Sequence, residues 1–192
     1  MGIGIERIKG FLWRPAETFE ASKEETLSDA YVYFFLLLVI FSVLLAVIVG
    51  IVLANPVAQS ILGMAPDLEL LKIITALSVT GIIIGGTVGV LIAGIWIHIW
   101  AYAFGGRNGL AQTIKVLLYA ATPLLVIGWI PVIGTGIGAI WSLLLLLTGL
   151  MHLQGMYSGR AILALVATLL VPVIIIGVIA VVVVGPAMLT HI

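Results

Sequence analysis

Five stretches of the chain run apolar with few or no charges. They are Tyr31 to Ala54, Ile73 to Phe104, Val116 to Ile130 with its flanks, Ala139 to Leu153 with the glycines before it, and Ala161 to Val184. A membrane-spanning helix needs about 20 mostly apolar residues. The pattern therefore predicts an all-α membrane protein with five transmembrane helices, over residues 31–54, 73–104, 111–130, 136–153 and 161–184. The second run is longer than a bilayer core is thick at about 1.5 Å per residue, so it must tilt, bend near its glycines or project. Polar or Gly/Pro-rich segments punctuate the runs: NPVAQSILGMAPDLELLK, GGRNG, PVIGTGIG and QGMYSGR. Pro123 and Pro172 lie inside the third and fifth runs and predict helix kinks there. PVIGTGIG reads as the turn between the third and fourth runs, which form either two full spans or a re-entrant hairpin.

Ahead of the first span, Met1, Ile5, Ile8 and Leu12 recur at helical spacing, with Glu6 and Lys9 off that face. This predicts a short N-terminal amphipathic helix. It either lies at the membrane interface or packs on the membrane domain. Residues 15–29 carry Glu17, Glu20, Glu24, Glu25 and Asp29 against Lys23, and read as helical. Thr26 with Asp29, or Ser28, would cap the first span. The expected organisation is a cytoplasmic segment over residues 1–29 and a membrane domain over 30–192. The start lacks a continuous apolar stretch of the secretory-signal kind, and Glu6 stands where a myristoylation signal wants Ser or Thr.

Composition agrees with the spans. The 192 residues are 63% hydrophobic and 8% charged, too few charges for a water-soluble chain of this size. Cysteine is absent, which removes disulfides, thiolate nucleophiles and Cys-type zinc sites. Positive residues fall on one side of a five-span layout: Arg7, Lys9, Arg14, Lys23, Arg107, Lys115 and Arg160 against Lys72 alone. The positive-inside rule then predicts a cytoplasmic N-terminus and an external C-terminus. Tyr31, Tyr33, Trp100, Tyr102, Trp129 and Trp141 are expected near the interfaces. The zero net charge is a cancellation. Residues 1–69 carry four basic and eight acidic groups, and residues 70–192 carry four basic and none acidic. The acidic stretch Glu17–Asp29 is therefore expected to dock electrostatically on Arg107, Lys115 and Arg160, weakened by salt.

The absence of Asp and Glu after Glu69 removes carboxylate proton relays, paired-carboxylate sites and His-Glu zinc motifs from the spans. GTGIG (Gly134 to Gly138) has no lysine after it and lies between apolar runs, unlike a phosphate-binding loop. His98, Tyr102, Gln112, Tyr119, His152 and Gln154 fall toward one half of their helices. They form either a polar cluster that binds a partner, headgroup or metal, or interhelical hydrogen bonds. Two histidines without a third ligand make a weak metal site, and neither metal nor cofactor is expected. Gly81, Gly85 and Gly89 recur every fourth residue and predict close helix packing, within the monomer or across a homodimer.

Two stretches carry a family resemblance. One is RPAETFEASKEETLSDAYVY (Arg14 to Tyr33). The other begins at FGGRNG and runs to the proline at 172, with Gly105-Gly106, Thr113, Tyr119-Ala120, Pro123, Trp141, Gly149 and Ala161 as landmarks. Together they resemble the Yip1 domain family in its shorter prokaryotic form. The resemblance implies five transmembrane helices with a cytoplasmic N-terminus, and no catalytic residues. Eukaryotic members act in vesicle traffic and contact small GTPases. The Asp-Leu-x-Gly-Pro motif typical of those members ahead of the first span is missing, so GTPase binding is not carried over.

These readings converge on a non-enzymatic, multi-pass membrane protein of a prokaryotic cell membrane, organising protein or lipid partners as a scaffold or adaptor. The alternative is a small channel or carrier whose polar cavity opens to the cytoplasmic side. The expected partners are the lipid bilayer and a protein partner or second copy, with no nucleic acid.

Overall fold

The computed structural model describes residues 4–63 and 67–189, with the side chains of Leu62 and of residues 182–189 left aside. The described residues are helical throughout: α1 (Ile5–Trp13), α2 (Pro15–Ala21), α3 (Leu27–Ala54), α4 (Pro56–Leu62), α5 (Leu68–Ala103), α6 (Leu110–Ala120), α7 (Thr122–Ile127), α8 (Ile133–Leu153) and α9 (Ser158–Leu189). Five helices are long and apolar enough to cross a membrane: Leu27–Ala54, Leu68–Ala103, Leu110–Ile127, Ile133–Leu153 and Ser158–Val181. The expectation of five helices of spanning length holds, and the third and fourth runs are separated by a turn. The long second run stays a single 36-residue helix, about 54 Å at the usual rise, so it projects or tilts rather than breaking.

Local chemistry sets the boundaries. Thr26 and Asp29 form a reciprocal capping box at the start of α3, as the spacing predicts. Asn55 caps α4 and Asp67 caps α5, each accepting backbone N–H groups. At the end of α5 the Gly105 N–H bonds Tyr102 O and the Gly106 N–H bonds Ala101 O. This Schellman pattern needs a left-handed residue, supplied by Gly105 at φ +104°. Pro123 cannot continue the hydrogen-bond ladder and divides the third span into α6 and α7. Pro172, by contrast, leaves α9 unbroken. The carbonyl it frees is that of Thr168, and the indole N–H of Trp96 donates to it at 3.1 Å. PVIGTGIG is only partly a turn. The turn is confined to Gly128–Val132, and GTGIG lies inside the first turns of α8 because Gly134 and Gly138 let α8 close on α7. Val132 sits at φ +65°, ψ −67° with Ile133 N–H on Pro131 O, a tight three-residue turn.

The third span is the centre of the bundle. Just over half of it is buried (56%), against 11% of the fifth span. Helix α6 packs on α3, α5 and α8, and α9 leans on α5 and α8 at the periphery. One core runs through the whole assembly, from Phe11 and Phe19 in α1 and α2 to Leu150, Leu153 and Ala161. In a bilayer such contacts are held by close packing and hydrogen bonds, since lipid tails are as apolar as the side chains they replace.

The within-monomer half of the glycine expectation needs correction. A Cβ on Gly81, Gly85 or Gly89 would meet nothing within 4 Å, so these residues make no close approach inside the chain. The close approaches fall one register away. A Cβ on Gly86 would meet Leu38 at 2.9 Å and one on Gly94 would meet Ile114 at 2.9 Å. Every-fourth-residue spacing identifies a stripe of small residues but not the face that neighbours will cover.

Candidate functional site

Helices α1 and α2 form a short hairpin lodged against the side of the bundle, and its inward face builds the polar centre. The face is only partly the expected one: Ile8 packs against the core and Leu12 is half-buried. Ile5 is 70% exposed and Met1 lies outside the described residues, whereas Arg7 and Phe11, one turn apart, point inward and are fully buried. Phe11 stacks on Tyr119 with ring centroids 4.8 Å apart, and meets Phe19 edge-on at 5.1 Å. The Arg7 guanidinium lies over the Tyr33 and Tyr119 rings at 4.9 and 5.0 Å. It pairs with the carboxylate of Glu25 and donates to the Tyr119 hydroxyl at 2.7 Å. That hydroxyl in turn donates to Glu25 at 2.6 Å. Tyr33 reaches Thr122 at 3.1 Å, and Thr122 donates to Tyr119 O at 2.6 Å. A buried charge is tolerated only when paired and hydrogen-bonded, and Arg7 has both, with two ring faces added.

The expected electrostatic docking takes a different form. Lys115 does meet the acidic stretch, but through its backbone: the ammonium donates to Lys23 O at 2.9 Å and Glu25 O at 2.7 Å. Gln112 adds a bond to Lys23 O at 3.3 Å. Arg107 is held locally, donating to Tyr102 O at 2.5 Å with its guanidinium over the Tyr102 ring at 4.2 Å. Arg160 lies against Gly105. Among the described ion pairs, neither arginine meets a carboxylate of the acidic stretch. The carboxylate that matters is Glu25, and its cation comes from α1.

A second group lies on the other flank of α6. The Gln154 amide N–H donates to Thr113 Oγ1 at 2.8 Å and Gly109 O at 2.7 Å, while its carbonyl accepts the Asn108 N–H at 3.1 Å. Thr113 also meets His98 Nδ1 at 2.8 Å. Asn108 Nδ2 donates to Leu153 O at 2.7 Å. Gln154 thus braces the start of α6 against the end of α8.

The six expected cluster residues do not form one cluster. His98 and Gln154 meet through Thr113. Gln112 and Tyr119 face the hairpin instead. Tyr102 is 57% exposed beside Arg107, and His152 bonds only Thr148 O of its own helix at 2.8 Å. Tyr33 is buried inside the protein. Sequence reasoning missed Arg7, Glu25, Lys115 and Thr113 as interior groups. A signal for the first was present, because Arg7 and Phe11 share a helical face. Among the described residues no group of three His, Cys, Asp or Glu side chains could hold a metal.

No curated protein and no solved structure shows a significant match to the chain. The profile of the Yip1 domain matches residues 9–189, which include most of the hairpin and all five spans, so the chain belongs to the Yip1 domain family of multi-pass integral membrane proteins.

Proposed function

We propose that this protein works without catalysis, as a membrane scaffold or adaptor that organises other membrane proteins or lipids. One observation carries the reading. Most of the buried polar groups of the bundle are engaged inside it: Arg7, Tyr119 and Glu25 in one group, His98, Thr113 and Gln154 in another, and Lys115 on two carbonyls, while Arg7 Nε, Trp100 Nε1 and Gln112 Oε1 have no hydrogen-bond partner among the described residues. This is how a bundle is braced. It favours a body that presents its outer surface to partners over one that moves solutes through its interior. The N-terminus is taken as cytoplasmic and the C-terminus as external, from the basic bias of the loops on one side. The surrounding membrane is taken as a prokaryotic cell membrane.

The test is reconstitution of the purified chain in two forms. Native mass spectrometry from mild detergent should find a defined complex with a protein or lipid partner at fixed stoichiometry. Liposomes carrying the protein should pass ions and small metabolites no faster than empty vesicles. A monomer with no retained partner, or flux above the empty-vesicle level, would overturn the reading.

A further inference from the structure

The α1–α2 hairpin does not lie on top of the bundle. It runs down the flank. Phe19 rests against Gly149, near the end of α8, and the Trp13 ring meets the Trp141 ring edge-on at 5.9 Å. Trp141 lies twelve residues inside the Leu153 end of α8, about 18 Å along the span at 1.5 Å per residue. Helix α1 also touches α7, which begins twelve residues into the third span, the same depth. At that depth the hairpin shows water-seeking groups. Arg14 and Glu17 flank Trp13 with side chains 76% and 77% exposed, and Lys9 and Glu6 are exposed above them. Such charges do not sit in hydrocarbon.

The opposite flank demands the reverse. On α9, which starts at the same end of the bundle, Ile162, Leu163 and Val166 lie only four to eight residues inside and are 47%, 52% and 43% exposed. On α5, Ile95 and Ile99 are likewise exposed within eight residues of its end. These surfaces need acyl chains. One flat boundary cannot satisfy both flanks. A boundary at the level of Trp141 would leave a bare apolar shaft of α9 and α5 in water. A boundary at the helix ends would bury Arg14 and Glu17 in lipid.

We infer that the leaflet on the Arg107/Arg160 side is stepped around this protein. Phospholipid headgroups and water are drawn down the hairpin flank to the level of Trp13 and Trp141, while acyl chains reach almost to the helix ends along α5 and α9. The occupant of the depression is the zwitterionic headgroup layer. An open cleft of about 590 Å³ along the hairpin is lined by Glu6, Lys9, Trp13, Arg14, Glu17 and Thr18. Its cations match a headgroup phosphate, its carboxylates match a headgroup amine, and its indole ring suits the polar–apolar boundary. The step follows from the helix geometry and does not depend on the scaffold role.

The chain has no cysteine, so single cysteines can be introduced without removing any. Glu17→Cys, Arg14→Cys and Leu163→Cys all fall on exposed positions that carry no core contact. Each variant would be spin-labelled and placed in phosphatidylcholine nanodiscs. Accessibility to a water-soluble nickel chelate is then compared with accessibility to oxygen. The expected result is a chelate-to-oxygen ratio above one at positions 14 and 17 and below one at 163. A chelate-dominated signal at 163 would mean a flat, deep boundary. An oxygen-dominated signal at 14 and 17 would mean charges held in hydrocarbon. Shielding of 14 and 17 from both reagents would mean a second copy of the chain covers the hairpin. Each of these three results overturns the inference.

Discussion

The Tyr119 hydroxyl donates to the Glu25 carboxylate at 2.6 Å, joining the middle of the third span to the linker ahead of the first. Glu25 also takes the charge of Arg7, so one carboxylate ties together α1, the α2–α3 linker and α6. The consequence is an ordering of mutational costs. Glu25→Ala leaves the fully buried Arg7 without its counter-ion and should destabilise by about 3–5 kcal/mol. Tyr119→Phe keeps the ring stacking on Phe11 and loses only the hydroxyl, at about 1–2 kcal/mol. Denaturation in mixed micelles, followed by circular dichroism, measures both. Equal losses for the two variants would contradict the geometry.

Salt should have little effect on hairpin docking. The contacts are a buried ion pair, ammonium–carbonyl bonds and stacked rings, all screened weakly compared with exposed charges. Trypsin cleavage after Lys9, exposed on α1, should proceed at the same rate in low and high salt. A rise in cleavage with salt would restore the surface-electrostatic picture that the charge distribution alone suggests.

Glycine substitutions separate the covered helix face from the open one. Gly149→Leu would drive a side chain into Val116 and the Phe19 ring, which a Cβ alone meets at 2.6 and 3.0 Å. Overpacking of this kind costs about 1–3 kcal/mol. Gly85→Leu meets open space and should leave unfolding unchanged or slightly improved, since glycine is a poor helix former. Thermal melts of the two variants in one detergent decide the point.

Trp96 and Pro172 should be coupled. Trp96→Phe removes the donor to Thr168 O and should cost about 1 kcal/mol while Pro172 is present. With Pro172→Ala the backbone N–H returns to the helix ladder and satisfies the same carbonyl. The Trp96→Phe cost should then fall, giving a coupling of about 0.5–1 kcal/mol in a double-mutant cycle. Additive effects would show that the indole bond is incidental.

Thr113→Val keeps the shape and removes the hydroxyl shared by His98 and Gln154. The buried Gln154 and the half-buried His98 each lose a bond, at a total cost of about 1–3 kcal/mol. Amide exchange should quicken at the start of α6, where Gln154 also holds Gly109 O and the Asn108 N–H. Unchanged exchange there would mean that Gln154 holds α6 without Thr113.

Much of the fold was legible in the order of residues, because a bilayer leaves few options. Five apolar runs become five helical spans since backbone groups must be satisfied without water. The capping pair Thr26 and Asp29, the Gly105–Gly106 turn and the break at Pro123 are local effects that act within four or five residues, so spacing reveals them. The Yip1 family pattern follows from the same local landmarks. What only the tertiary structure decided is which face of each helix meets which neighbour. Helical spacing puts Ile5 and Ile8 on one apolar face of α1, yet Ile8 alone of the two packs on the core and Arg7 turns inward, because Glu25, Tyr33 and Tyr119 converge from three other segments to receive it. The same holds for Gly86 over Gly85, and for the division of the polar residues between the two flanks of α6. Those choices depend on contacts between residues up to 112 positions apart, and no local pattern in the chain encodes them.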